Sequence, residues 1–187
     1  KMILPQDREY IGVDHGVEEL LKQGITPKFA IGDFDSLQNR QTLENLNIQI
    51  LPERKDVTDT HAAIDYLLSK GYDEIEIYGV TGGRLDHFFA VICLLEKYQD
   101  IKLKVIDQQN CIQLLKPGIH HIENKGYYYF SLFALNESSL SIKQAEYTLD
   151  HYLLKREDPL CVSNEVKGEY AIIENSGNIL LIQSRDA

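Results

Sequence analysis

The chain has 187 residues, of which 43% are apolar and 26% are charged, a composition typical of a globular protein. Its formal net charge of -10 argues against a nucleic-acid partner, because phosphate backbones are bound by clustered Lys and Arg. The longest apolar run, residues 88–95, is too short to span a bilayer, so we expect no membrane partner. Three widely spaced cysteines match neither a disulfide framework nor a zinc motif, which favours a cytoplasmic location.

Short apolar runs alternate with helical patterns over the first hundred residues. The predicted strands are residues 10–13, 29–31, 48–51, 74–80 and 103–106, and the predicted helices are residues 16–24, 41–47, 58–71 and 86–98. This alternation is typical of right-handed crossovers and a parallel sheet with flanking helices. Gly24 and Gly71 are predicted to end the first and third helices. The fourth helix is apolar on nearly all its faces, so we expect it to be buried together with Cys93.

Strand patterns replace this alternation after about residue 109. The remaining chain consists of strand-like runs joined by turns, and the last two runs are predicted to form a hairpin around residues 175–178. The fold class is therefore α/β, with a mostly parallel N-terminal sheet and a β-rich C-terminal half. We predict two domains, an α/β domain at residues 1–109 and an all-β domain at residues 110–187.

Acidic residues follow the predicted strands of the first half. Asp14 comes after the first strand, Asp33 and Asp35 after the second, and Asp56 and Asp59 after the third, while the stretch TGGRLDH follows the fourth. Open α/β sheets bind their ligands at the carboxyl ends of their strands. We therefore interpret these residues as a site, although each stretch alone also fits an ordinary turn or helix cap.

Carboxylates in this pattern indicate a metal ion. Asp33 and Asp35 lie two residues apart, so in an extended segment they point to the same side and repel each other unless a cation lies between them. Together with Asp56 or Asp59 they offer the hard oxygen ligands that Mg²⁺ prefers, and the sequence leaves the choice between those two open.

The TGGRLDH stretch suits a phosphate group. Two glycines before a helix let backbone N–H groups approach an anion, and Arg84 is a cation suited to a transferring phosphoryl group. Asp86 would repel a bare phosphate, so we interpret it as a helix cap, a partner of metal-bound water or a hydroxyl acceptor. The adjacent His120 and His121 are interpreted as exposed structural residues rather than ligands.

Five motifs in this order, VDHG, GDFDS, KDVTDTHAAIDYL, TGGRLDH and VSNE, resemble the thiamine pyrophosphokinase family from about residue 10 to the end. The resemblance implies a C-terminal β-sandwich domain and a homodimer with sites in clefts between the subunits. It also implies transfer of pyrophosphate from ATP to the hydroxyl of thiamine, giving thiamine diphosphate and AMP, with Mg²⁺ bound. The family usually begins with a further strand, which we expect to be missing here or reduced to the segment KMIL.

Residue roles follow from matching these motifs position by position. The resemblance implies that Asp33, Asp35 and Asp59 bind the metal, and that they act with Arg84 in catalysis. The nucleotide-binding residues that it implies are Asp14, Asp56, Thr81, Gly82, Gly83, Arg84, Asp86 and His87. Ser163 and Asn164 match the Ser-Asn pair that contacts thiamine, although the pair alone would suggest only a turn at a strand end.

Two other functions remain open from the sequence. The stretch DFD also occurs in metal-dependent nucleotide-sugar or nucleotidyl transferases, which would use it to bind a metal-nucleotide complex. A non-catalytic module that binds a nucleotide or thiamine would show binding without turnover. The cluster of carboxylates together with Arg84 favours an enzyme over such a module.

Overall fold

The structure, a computed structural model, describes residues 2–32, the backbone of residues 49–51, and residues 56–186. The predicted helix at residues 41–47 and the predicted site residues Asp33 and Asp35 lie outside the described residues. The chain divides into two compact units, Lys1–Asp73 and Glu74–Ala187. The fold is mixed α/β, with three sheets and three helices in the part that the structure describes. None of these helices is long and apolar enough to cross a membrane.

The first unit contains a small parallel sheet made of the first three predicted strands. The prediction that the strands at residues 74–80 and 103–106 join the same sheet is wrong, because they pair in a second sheet with strands from the C-terminal half. Its strands are β1 (Ile11–Val13), β2 (Phe29–Ile31) and β3 (Gln49–Leu51), which pair in the order β1-β2-β3. Its described helices are α1 (Gly16–Lys22) and α2 (Asp59–Ser69). Residues 2–10, which include most of the KMIL segment, form neither helix nor strand.

Glycines end both of these helices, which confirms the predicted stops. Gly24 has φ 73° and Gly71 has φ 86°, a left-handed conformation that glycine adopts without steric cost. After α1, the N–H groups of Gly24 and Ile25 donate to the carbonyl oxygens of Leu21 (2.9 Å) and Leu20 (3.0 Å). These bonds satisfy carbonyl groups that the helix itself leaves without partners.

The second unit contains one helix and nine strands. The helix is α3 (Leu85–Lys97), and the strands are β4 (Glu74–Tyr78), β5 (Lys102–Ile106), β6 (Asn110–Leu115), β7 (Gly118–Glu123), β8 (Tyr129–Ala134), β9 (Glu137–Lys143), β10 (Leu149–Lys155), β11 (Tyr170–Asn175) and β12 (Ile179–Ser184). A five-stranded sheet has the order β4-β5-β6-β12-β8, and a four-stranded sheet has the order β10-β9-β11-β7. Only β4 and β5 pair in parallel within them. The predicted domain boundary at 109/110 falls between the paired strands β5 and β6, and it stays a prediction.

The two sheets of the second unit share one hydrophobic core. Phe130 and Leu181 from the five-stranded sheet and Leu140 and Ile173 from the four-stranded sheet are all at most 1% exposed and belong to a single cluster. Burying a side chain of this size contributes about 1.5–3 kcal/mol. Alternate positions of these strands therefore hold the two sheets face to face.

The predicted hairpin around residues 175–178 is wrong, because β11 belongs to the four-stranded sheet and β12 to the five-stranded sheet. The hydroxyl oxygen of Ser138 on β9 accepts hydrogen bonds from the N–H groups of Ser176 (3.1 Å) and Gly177 (3.0 Å). The side-chain amide of Asn175 donates to the carbonyl oxygen of Gly177 (2.7 Å). These bonds hold the turn against β9, so it carries the chain from one sheet to the other.

The prediction that the fourth predicted helix, now α3, is buried with Cys93 is also wrong. Its buried residues are Val91, Leu94 and Leu95. On another face, Leu85 is 80% exposed, Phe89 is 60% exposed and Cys93 is exposed at the same four-residue spacing. A helix can therefore be apolar on every face in sequence and still be covered by the rest of the chain on only one of them.

Gly12 in β1 is expected to tolerate no larger residue. A Cβ atom there would collide with the side chain of Val17 on α1 and would lie 3.0 Å from the Val17 Cα. Gly12→Ala should therefore lower the free energy of unfolding by about 1–3 kcal/mol, as measured by urea denaturation. Gly16→Ala is the matched control, because no atom lies within 4 Å of a Cβ at that position. Equal stability of the two variants would contradict this packing.

Candidate active site

Asp14 lies at the carboxyl end of β1, beside the start of the GDFDS segment. Its N–H donates to the carbonyl oxygen of Ile31, the last residue of β2, at 3.0 Å. Its carboxylate lies so close to Gly32 that a Cβ atom at Gly32 would collide with Asp14 Oδ1. The structure thus brings Asp14 together with the residue that precedes Asp33, while Asp33 and Asp35 themselves lie outside the described residues.

Thr58, and not Asp56, is the N-cap of α2. The Thr58 hydroxyl oxygen accepts a hydrogen bond from the His61 N–H at 3.3 Å, while Asp56 is exposed in the preceding turn. Asp59 is the first residue of the helix and is partly buried. A carboxylate in this first turn is stabilised by the helix dipole. The helix cap that this stretch alone would suggest is therefore Thr58.

The packing of α2 places Asp59 at the same edge of the sheet as Asp14. Tyr66 in the second half of the helix packs edge-to-face against Phe29, the first residue of β2, with ring centroids 5.0 Å apart. Ile31, the last residue of β2, forms one buried cluster with Ala62 and Ala63, which lie about one turn before Tyr66 in the helix. The helix therefore runs antiparallel to β2, with its N-terminus at the carboxyl ends of the strands.

These described acids supply only oxygen donors, the ligand type that suits Mg²⁺. Within residues 2–32 and 56–186, no three His, Cys, Asp or Glu residues are grouped closely enough to hold a metal ion. Two of the three predicted ligands, Asp33 and Asp35, fall between those ranges. The predicted metal site stays a prediction.

The TGGRLDH stretch joins β4 to α3 in the second unit. The Arg84 guanidinium donates to the carboxylate of Asp86 at two points, Nε to Oδ1 at 3.1 Å and Nη2 to Oδ2 at 2.5 Å. Asp86 Oδ1 also accepts a hydrogen bond from the His87 N–H at 3.0 Å. Asp86 therefore orients Arg84 and satisfies one free N–H of the first helical turn, in agreement with its interpretation as a cap.

This pair has a defined dependence on pH. The hydrogen bond from Arg84 is the main cause that lowers the pKa of Asp86 to about 2. Because the folded pKa lies below the ordinary value of 3.8, the pair is fully formed above that value and is lost as the pH falls through about 2. Both side chains are largely exposed, at 75% and 61%, so Arg84 remains accessible to a ligand while Asp86 holds it.

Sequence reasoning missed Asp107, which lies beside the TGGRLDH stretch. The Asp107 carboxylate accepts hydrogen bonds from the side chain of Thr81 and from the N–H groups of Gln109 and Asn110, the latter two at 2.7 Å. Burial alone would raise the pKa of Asp107, but these hydrogen bonds outweigh it and lower the pKa. Asp107 follows β5 directly, so the rule that selected the acids after the earlier strands would have selected it.

Ser163 and Asn164 have different surroundings. Asn164 is 3% exposed, and its side-chain oxygen accepts from the N–H groups of Tyr147 (3.0 Å) and Glu165 (2.9 Å), while its amide donates to the Tyr147 carbonyl oxygen (2.7 Å). Ser163 is exposed with φ 57°, and its N–H donates to the hydroxyl of Ser131 on β8 at 3.0 Å. Asn164 therefore holds the loop together, and Ser163 presents its hydroxyl to solvent.

The five-stranded sheet separates the two predicted binding segments of the second unit. The TGGRLDH stretch follows β4 at one edge of the sheet, whereas Asn164 exchanges backbone hydrogen bonds with Phe130 on β8 at the other edge. Four strand intervals of about 4.8 Å give a separation of about 19 Å across the sheet. Within one chain, the structure does not bring these two segments together.

Two family models match the chain in succession. The model described as "Thiamin pyrophosphokinase, catalytic domain" matches residues 2–106, and the model described as "Thiamin pyrophosphokinase, vitamin B1 binding domain" matches residues 119–180. The first match alone spans more than half of the chain. The chain belongs to the thiamin pyrophosphokinase family.

Individual members of the family agree with this assignment. Thiamine pyrophosphokinase from Bacillus subtilis (strain 168) is 38% identical over 189 residues, which cover 95% of this chain and 87% of the relative. A crystal structure of thiamine pyrophosphokinase from Bacillus subtilis matches with a TM-score of 0.89 at 34% identity, covering 98% of this chain and 91% of that chain. A crystal structure of thiamin pyrophosphokinase from Geobacillus thermodenitrificans matches with a TM-score of 0.89 at 32% identity, covering 98% and 89%.

We expect Asp107 and Thr81 to be coupled energetically. Asp107→Asn and Thr81→Val should each lower the free energy of unfolding, and the double variant should lower it by about 1 kcal/mol less than the sum, because both remove one hydrogen bond. Urea denaturation measures the stability, and amide hydrogen exchange at Gly82 and Gly83 should speed up in both variants.

Asp100→Asn is the matched control for this coupling. Asp100 carries the same charge, but its side chain is 88% exposed in a surface ion pair with Lys116. Its replacement should change stability by no more than about 0.5 kcal/mol. Strict additivity of the Asp107 and Thr81 substitutions would show that the two side chains act independently.

Proposed function

We propose that this chain transfers pyrophosphate from ATP to the hydroxyl of thiamine, giving thiamine diphosphate and AMP. The observation that supports this reaction most directly is the ordered match of a thiamin pyrophosphokinase catalytic domain and a vitamin B1 binding domain within one chain. The 38% identity to a thiamine pyrophosphokinase that it matches over 87% of its length agrees with it. The chain is an enzyme of the transferase class, and it takes part in the synthesis of thiamine diphosphate.

The acidic edge of the first unit is proposed to hold Mg²⁺. Asp33, Asp35 and Asp59 would be its ligands, since Asp59 lies at the strand ends where Asp14 meets the start of the GDFDS segment. A bound Mg²⁺ would neutralise charge on the triphosphate, which a chain of net charge -10 would otherwise repel. Asp14 and Asp56 are proposed to line the nucleotide site at this edge.

The residues of the second unit are proposed to bind and orient the phosphates. Arg84, held by Asp86 in a two-point ion pair, would stabilise negative charge on the transferring group. Thr81, Gly82 and Gly83 come before the N-terminus of α3, where N–H groups without helical partners attract anions. His87 completes the nucleotide-binding set that we propose, with Asp107 as the residue that fixes the position of Thr81.

Thiamine is proposed to contact Ser163, with Asn164 as the residue that shapes the loop. The Ser163 hydroxyl makes no hydrogen bond to any residue within the described part of the chain, so it is available to a ligand. The thiazolium ring of thiamine is a cation, which suits a chain with a surplus of acidic residues.

We propose a homodimer whose reaction sites lie in clefts between the subunits. The width of the sheet, about 19 Å from β4 to β8, keeps the TGGRLDH stretch and Asn164 of one chain apart, and a second copy would supply the missing half. Large exposed apolar side chains, among them Leu153 and Leu160 at 50–55% exposure, offer surface for such contacts.

We also propose the bounds of the two domains and a location in the cell. The strands β6 to β12, which supply the shared core of the two sheets, fit a thiamine-binding β-sandwich at residues 110–187. The family-model match ending at residue 106 supports a catalytic domain at residues 1–109. A cytoplasmic location is supported by three cysteines that are all free thiols.

The reaction is tested by ³¹P NMR of the protein with ATP, Mg²⁺ and thiamine. We expect AMP and thiamine diphosphate to appear in equal amounts, because one pyrophosphoryl group leaves ATP for each thiamine. Excess EDTA should stop the reaction by removing the metal. Formation of ADP, or release of free pyrophosphate, would contradict pyrophosphoryl transfer, and tight binding without any product would favour a binding module.

A site shared between subunits is tested by mixing two inactive variants. Arg84→Gln disables the nucleotide segment, and Ser163→Arg places a cation where cationic thiamine would bind. After the two variants are unfolded together and refolded, we expect about a quarter of wild-type activity, since about half of the dimers are mixed and each holds one intact site.

Each variant refolded alone is the control and should remain inactive. If the mixture also stays inactive while size-exclusion chromatography shows folded dimers, each site lies within one subunit. Recovery of activity together with a monomeric elution volume would likewise overturn the proposed dimer.

A further inference from the structure

The turn between β5 and β6, which we call the 107–110 turn, is built around the Asp107 carboxylate. Asp107 Oδ1 accepts hydrogen bonds from the N–H groups of Gln109 and Asn110, both at 2.7 Å, and the Asn110 side-chain amide lies 3.1 Å from each carboxylate oxygen. The same carboxylate accepts a hydrogen bond from the side chain of Thr81 in the TGGRLDH stretch. The position of the Thr81 side chain therefore depends on the conformation of this turn.

Arg185, the residue that follows β12, bonds the outer side of the 107–110 turn. Its guanidinium donates to the Gln108 carbonyl oxygen at two points, from Nε at 3.0 Å and from Nη2 at 2.7 Å. Its backbone N–H donates to the Gln109 carbonyl oxygen at 3.0 Å, which extends the ladder between β12 and β6 by one bond. Both carbonyl groups at the tip of the turn are thus bonded to one residue.

The tip of the 107–110 turn depends on these bonds because its side chains do not pack. Gln108 and Gln109 are both exposed, so no buried apolar surface holds this part of the turn. An exposed segment with few packed side chains opens readily, and its hydrogen bonds decide how often it does so. We therefore expect the bonds from Arg185 to limit the motion of the turn.

Arg185 itself is held by a rigid part of the fold. It follows β12, which pairs with β6 on one side and β8 on the other and whose residues Ile179 and Leu181 are fully buried. The guanidinium carbon lies 5.9 Å from the centroid of the Tyr127 ring, within the range of a cation–π contact. A planar guanidinium fixed in this way loses little rotamer freedom when it bonds a carbonyl group.

We propose that Arg185 is a positioning residue for the nucleotide. It fixes the 107–110 turn from outside, the turn fixes the Asp107 carboxylate, and that carboxylate holds Thr81 in the orientation in which it contacts the phosphates. Arg185 acts through the turn and does not itself contact ATP. The inference rests on the proposed function in one respect, the assignment of Thr81 to the nucleotide site.

The test measures the affinity for ATP by isothermal titration calorimetry with Mg²⁺ and without thiamine, so that no transfer takes place. Arg185→Met removes the bonds to Gln108 and keeps the backbone bond to Gln109, and it should weaken ATP binding about fivefold, a usual effect of losing one hydrogen bond. Arg185→Lys should retain part of the affinity, because an ammonium group can donate to the same oxygen. The affinity for thiamine should not change, because Ser163 lies beside the opposite edge of the sheet.

A double variant separates positioning from direct contact with ATP. In a Thr81→Val background the link from Arg185 to the nucleotide is already broken, so Arg185→Met should weaken ATP binding no further. Weakening by the same factor in both backgrounds would overturn the proposal. Arg156→Met is the matched control, because the Arg156 side chain also donates to a backbone carbonyl, that of Leu135 at 3.1 Å, beside the opposite edge of the sheet. Equal weakening of ATP binding by this control would likewise overturn the proposal.

Amide hydrogen exchange tests the same link without any ligand. In Arg185→Met the N–H groups of Gln109 and Asn110, which donate to Asp107, should exchange faster, while that of the buried Leu132 on β8 should keep its rate. Unchanged exchange at the first two would overturn the proposal, as would equal acceleration at Leu132, which would indicate a global loss of stability. A wild-type protein that binds no ATP would contradict the proposed function itself, while faster exchange in the variant would still support the contact between Arg185 and the turn.

Discussion

The hydrogen-bond ladder of the five-stranded sheet is the constraint on which the second unit depends. Strand spacing in a sheet is fixed by backbone hydrogen bonds, so the order β4-β5-β6-β12-β8 sets how far apart the segments at its two edges lie. The TGGRLDH stretch at one edge and the Ser163 loop at the other cannot approach each other without breaking that ladder. The proposed homodimer would bring the TGGRLDH stretch of one chain to the Ser163 loop of the other, so the order of this sheet is the physical argument for that proposal.

The first unit depends on a different constraint: side chains pack directly against glycine residues of its parallel strands and of the turn after β2. Val17 occupies the space beside Gly12, and the Asp14 carboxylate occupies the space beside Gly32. Both contacts require glycine on one side. In the GDFDS motif this explains the glycine, since a larger residue at Gly32 would push Asp14 away from the strand ends.

Much of this arrangement could be predicted from the sequence, because it depends on local patterns. Strand and helix periodicity, together with glycine stops such as Gly24, determine the elements, and the rule that parallel strands end at one edge determines where Asp14 and Asp59 lie. Which strands pair with each other could not be predicted in this way. Buried and exposed residues alternate along a strand in the same pattern whether it pairs with the next strand in sequence or packs face to face against it from another sheet. The wrong hairpin between β11 and β12 has this cause.

Side-chain roles were the least predictable part. Motif matching treats Ser163 and Asn164 as one pair, but burial and hydrogen bonding separate them into an exposed hydroxyl and a buried amide that holds Tyr147. Asp107 follows a strand as the other acids do and could have been selected by its position, but its contact with Thr81, 26 positions earlier in the chain, is recorded by no local pattern.

The three thiols of the chain differ in a way that makes the protein suitable for site-specific labelling. Burial raises the pKa of Cys111 and raises the pKa of Cys161 to about 11, so both react slowly as nucleophiles. Cys93 on α3 is exposed, two turns after Leu85 at the start of that helix. A maleimide spin label or fluorophore would therefore attach at one position per chain without any engineered cysteine, and it would report distances from the helix that follows the TGGRLDH stretch.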